Sequence, residues 1–146
     1  MKGDQLPRKD HVVRYCKFET LDEEGVPTGD AFRLRIGKED YVSTNWLERL
    51  DPNDRNAALA QVRAVLASKM KLGAKACLAV LSIATTMDHV FKSTSDGRLL
   101  RFLHEPLKNP LSDPSHAGIY DTEPEGGLIG DLIAETIVDV QNARVL

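Results

Sequence analysis

The chain has little that would mark a specialised class of protein. Aromatic residues make up only 5% of it, with one tryptophan, three tyrosines and four phenylalanines. It has two cysteines, Cys16 and Cys77, far apart and in no CxxC pair, so neither a secretory disulfide framework nor a zinc knuckle is written here. The longest largely apolar run, Ala76 to Ala84, is about half of what a membrane-spanning helix needs. MKGDQLPRKD, at the start, lacks the apolar core of a signal peptide. Neither GxGxxG nor GxxxxGK[ST] occurs, which removes the common phosphate-cradling loops. There is no basic excess: net charge is −3, which argues against a general nucleic-acid binder. Together these absences predict a cytoplasmic protein with reduced thiols, no membrane segment and no metal or cofactor motif.

What is present is ordinary globular composition. The 146 residues are 42% hydrophobic and 28% charged, which suits a single domain with a full core. Residues 1–10 read as a loose charged arm. HVVRYCKF, 11–18, is rich in β-branched and aromatic residues and predicts a strand. AFRLRI, 31–36, alternates and predicts a second, with Phe32, Leu34 and Ile36 inward. Tyr41 to Ser43 predict a third. Asn45-Trp-Leu-Glu48 fits a capping box for a short helix from Trp46. Asp51-Pro52-Asn53-Asp54 then starts a long helix to about Met70, with Leu59, Val62 and Leu66 on its apolar stripe and Gly73 as C-cap.

KACLAVLSI, 75–83, predicts a central strand covered on both faces. ATTMDHVFKST predicts a short helix, and RLLRFLHE, 98–105, a strand with Leu100, Phe102 and His104 on one face. The stretch 106–125 is long for a structureless connection, and a brief strand at 117–120 divides it. A helix from Leu128 to Val140, with Leu128, Leu132, Thr136 and Val140 aligned, closes the reading. The expected fold is α+β: a mixed or antiparallel sheet of about five strands with two main helices packed on it.

Candidate sites follow from residue types. Ser43, Thr44, Asn45 and Trp46 could line a pocket, though capping alone accounts for their spacing. Arg14, Ser43-Thr44 and Glu123 or Glu125 resemble the arginine, hydroxyl and glutamate set of ADP-ribosyltransferases. That resemblance implies a guanidinium on a phosphate and a hydroxyl on a ribose, with Asn45 standing where a second serine is usual. His104 and His116, with Asp113 and Ser115 adjacent, could serve acid–base work or a transition metal, but no HxH or HExxH accompanies them. Arg14, Arg33, Arg35, Arg98 and Arg101 fall on expected strands and would form a cationic surface if they shared a face. Cys16 and Cys77 read as buried small hydrophobes.

DHVVRYC, YVSTNWLE and DPSHAGIY taken together resemble a family of small bacterial proteins that carry an HVVRY strand, a serine-x-Asn-Trp-Leu-Glu stretch and a Pro-Ser-His-x-Gly-Ile stretch. The resemblance implies a bacterial source and three neighbouring segments, and it assigns no activity. It directs attention to His11, Arg14, Ser43, Asn45, Trp46 and His116. The leading expectation is a non-catalytic binding or accessory module acting through a protein partner or as a homodimer. The competing one is a binder of, or enzyme on, a nucleotide or other phosphate-bearing ligand at Arg14, Ser43 and Thr44.

Overall fold

The structure is a computed structural model, and it describes residues 1–35, 37, 39–108, 112–122 and 127–144. Six strands form one antiparallel sheet: β1 His11–Cys16, β2 Val42–Trp46, β3 Cys77–Ser82, β4 Arg101–His104, β5 His116–Tyr120 and β6 Ile137–Asn142. Their spatial order is β4-β5-β2-β1-β3-β6. Four helices accompany them: α1 Leu47–Leu50, α2 Arg55–Lys69, α3 Ile83–Ser93 and α4 Leu128–Ala134. The expected α+β class stands, with one strand more than anticipated and every described pairing antiparallel.

The period-2 alternation of β1 sorts its side chains between two cores. Val12 and Cys16 join Phe32, Ile83, Phe102, Ile119 and Ile133 on one face. Val13 faces the other, where α2 buries Ala58, Leu59 and Val62 against Leu78 and Val80. β3 is buried on both sides, as its unbroken apolar sequence requires. The segment ahead of β1 lies along β4: Leu6 N donates to Phe102 O, Gly3 N to His104 O, and Leu6 is buried.

Three local expectations are corrected. The AFRLRI stretch is not a strand. Gly29–Phe32 forms a 3-10 turn that Thr28 caps, and the chain from Arg33 to Arg35 is irregular. Phe32 is nonetheless fully buried, while Ile36 lies outside the described residues. The turn is held by close contact with α4: a Cβ on Gly130 would stand 2.5 Å from Gly29 O. Helical packing at that distance admits only glycine.

The capping box does not form. Asn45 is a strand residue and α1 begins after Trp46. Glu48 is diverted to His11, accepting from its backbone N at 2.8 Å and meeting its Nδ1 at 2.7 Å. Further on, Asp51 accepts from Asn53 N and Asp54 N, and Asp54 is the true cap of α2.

The last helix stops at Ala134. Thr136, which keeps the spacing of its stripe, instead joins Thr86 in a buried hydroxyl pair. The β-branched Ile137, Val138 and Val140 then favour extended chain and form the edge strand β6.

Candidate functional site

The site arises from a failure of pairing. β1 pairs with β3 through all six residues from His11 to Cys16. It pairs with β2 at only two positions, Val12↔Trp46 and Val13↔Asn45. Past Val13 the strands part, and the side chain of Arg14 fills the opening. Its Nε donates to Ala31 O at 2.8 Å and its Nη1 to Ser43 O at 2.9 Å. The guanidinium thus satisfies a β2 carbonyl and ties the strand to the turn at Ala31.

A cleft of about 450 Å³ opens at this point. Arg14, Ser43, Asn45 and His116 from the sheet line it, with Leu66, Lys69 and Met70 from the end of α2 opposite. Lys17, Arg33 and Arg35 add positive charge, and Asp30 and Glu39 negative charge. Most of these charges are matched. Arg33 reaches Asp30 at 3.3 Å, Arg35 reaches Glu39 at 3.1 Å, and Lys69 reaches Asp113 at 2.7 Å. Burial works against the ionised form of Glu39, but hydrogen bonds from Arg35 outweigh it and hold the carboxyl below its ordinary value. Arg14 has no carboxylate within ion-pair distance among the described residues. Burial lowers its pKa from the usual arginine value, opposed by Cys16 and Glu39. It stays charged all the same, since guanidinium does not deprotonate in proteins.

Deeper on the same side stands a polar network. Asn45 Nδ2 donates to Asp113 Oδ1 at 3.0 Å and to Ser115 Oγ at 2.8 Å, and Ser115 Oγ donates to Asp113 Oδ1 at 3.0 Å. Asp113 is wholly buried. Its burial disfavours the charge, yet Lys69, Asn45 and Ser115 hold its pKa below the ordinary value. Beside it, His116 pairs with Asn45 across β5 and β2. His116 Nδ1 donates to Glu105 O at 3.0 Å; a carbonyl can only accept, so this fixes the tautomer. Burial lowers the His116 pKa, so the ring is neutral at pH 7 with its lone pair on Nε2. No described residue bonds to Nε2. Since no buried side-chain N or O among the described residues lacks a partner, that lone pair reaches solvent.

The structure therefore brings Arg14, Ser43, Asn45 and His116 together, and it places the other sequence candidates elsewhere. Trp46 lies on the sheet face opposite to Asn45 and His116, where its Nε1 donates to Asp10 Oδ2 at 2.9 Å and its ring meets His104 edge-on at 5.2 Å. His104 Nε2 donates to Pro114 O. His104 pairs with Ala117 and His116 with Asn45, so the two imidazoles point to opposite faces and do not converge. Thr44 gives its hydroxyl to Ala117 O. Glu123 and Glu125 lie outside the described residues. Of the five arginines expected on strands, only Arg14 and Arg101 are there, and Arg101 binds Asp121 at 2.7 Å, remote from the cleft. Reading the sequence missed Lys69 and Asp113 as partners. Lys69 looks like a helix-end cation and Asp113 like a turn residue, and no local pattern joins them across 44 positions.

The HVVRY, STNW and SHAGI segments do lie on adjacent strands, β1, β2 and β5. No family model matches the chain, and searches of the curated proteins and of the solved structures found no match.

Proposed function

We propose that this protein binds, without catalysing a reaction on it, a small ligand that carries a carboxylate or phosphate. The observation that carries the reading is Arg14: a guanidinium at the floor of a cleft, bonded only to backbone carbonyls. An anion there would complete its donor set, and partial burial would strengthen the bond. Leu66, Met70 and Val13 offer an apolar wall for the body of the ligand, and His116 Nε2 would accept from a ligand hydroxyl or N–H. Ser43 and His116 both line the cleft, but no hydrogen bond joins them, which favours binding over nucleophilic chemistry.

A thermal-shift and calorimetry panel of small carboxylates, inorganic phosphate and nucleoside monophosphates tests this. A ligand at about a hundred times its dissociation constant stabilises the fold by about 2.7 kcal/mol. The shift is expected in wild type and lost in Arg14→Gln. A panel without a shift, or a shift that Arg14→Gln keeps, counts against the reading.

Self-association is a second reading, favoured by the contrast between the two sheet edges. Residues 3–6 cover β4, whereas β6 exposes Val138 and Val140. Two copies of β6 paired antiparallel about Val140 would set Asp139 against Gln141, with no like charges opposed. Sedimentation of wild type beside Val140→Lys distinguishes a dimer from a monomer.

A further inference from the structure

Outside the cleft stand two thiols, and the sheet register places them face to face. Cys16 and Cys77 are direct cross-strand partners at the end of the β1–β3 ladder. Both are free and buried, and both project into the same core. Directly opposed residues of an antiparallel pair have Cα atoms roughly 4.5 or 5.5 Å apart, depending on whether the pair is hydrogen-bonded. Either distance falls within the window of about 4.4–6.8 Å that a disulfide requires.

We propose that Cys16 and Cys77 are a thiol–disulfide couple, oxidised by a low-molecular-weight disulfide to a cross-strand bond that staples β1 to β3. Cys77 reacts first. It is the more accessible thiol, at 7% against 1% for Cys16, and its Sγ points to the carbonyl of Gly25 in the exposed loop. Its thiolate attacks one sulfur of the oxidant, forming a mixed disulfide and expelling one thiolate. Cys16 then loses its proton and attacks Cys77 Sγ, expelling the second thiolate. The net change is two protein thiols oxidised and one disulfide oxidant reduced to two thiols.

The second step has a visible cost. Cys16 Sγ donates to Arg14 O at 3.4 Å, and that bond is lost when the thiol gives up its proton. Burial raises the Cys16 thiol to about 12, only partly offset by Arg14. Oxidation is therefore slow and its product persistent, because the same burial shields the bond from attack.

The test treats the reduced full chain with oxidised glutathione, folded and in urea, and reads intact mass and peptide maps without reductant. The folded chain is expected to lose two hydrogens, to retain no glutathione, to yield a peptide linking Cys16 to Cys77, and to melt higher. Dithiothreitol should reverse all of this. Cys16→Ser should stop at the mixed disulfide on Cys77. A folded chain that stays unmodified, or keeps glutathione as an adduct, while the urea-unfolded chain closes the bond would overturn the proposal.

Discussion

Lys69 Nζ lies 2.7 Å from Asp113 Oδ2, joining the last turn of α2 to the loop ahead of β5. Asp113 has no exposed surface, and Lys69 is its one cationic partner among the described residues. That single contact closes one wall of the cleft and holds the Asn45–Ser115 network in place.

Removing Lys69 should be expensive. Lys69→Met leaves a buried carboxylate with only Asn45 and Ser115 for company. Breaking one side of a buried pair costs about 3–5 kcal/mol, and the surviving hydrogen bonds from Asn45 and Ser115 place this loss at about 3 kcal/mol. Urea melts check it, and the double variant with Asp113→Asn should recover most of the loss.

Acid should act through the same group. The folded Asp113 pKa is depressed, so its contribution is complete above the ordinary carboxylate value and is lost as pH falls through the lower folded value. Melting temperatures of wild type should fall in that acid range, and those of Asp113→Asn should fall less steeply.

His116 gives a second pH signature at higher values. Burial holds its folded pKa below the ordinary imidazole value of 6.5, so the unfolded chain takes up the proton first. Stability from His116 is whole above pH 6.5 and declines as pH drops through the folded value. His116→Gln should remove that decline. A pH–stability curve unchanged by the substitution would contradict the assigned environment.

Gly130→Ala should destabilise by about 1–3 kcal/mol, since its Cβ meets the backbone oxygen of Gly29 and not a side chain that could turn aside. Gly3→Ala has free space around it, so its only cost is backbone strain at φ +87°, and it serves as a smaller-effect comparison in the same melts.

The elements that reading the sequence located were those whose apolar pattern and burial coincide. β1 is rich in β-branched and aromatic residues and buries Val12 and Val13 on opposite faces, β3 is apolar throughout, and Leu59, Val62 and Leu66 stripe α2 at helical spacing. The elements it misread were decided by partners far along the chain. Phe32 reached the core from a 3-10 turn because Gly29 and Gly130 allow two backbones to touch. Thr136 and Ile137 kept the spacing of a helix, but Thr86 and β3 claimed them. The site divides in the same way. Arg14, Ser43, Asn45 and His116 stood out by residue type, whereas the splay that unites them depends on where β2 leaves β1.

The anion-receptor role proposed for Arg14 is open to direct test. The most direct measurement is an NMR titration with benzoate and with inorganic phosphate, at constant ionic strength against chloride, following the Arg14 Nε–Hε and His116 ring signals. Saturable shifts at Arg14, Ser43 and His116 for at least one of the two anions, abolished in Arg14→Gln, are what the cleft predicts. Shifts confined to exposed lysines, or identical in Arg14→Gln, would contradict it.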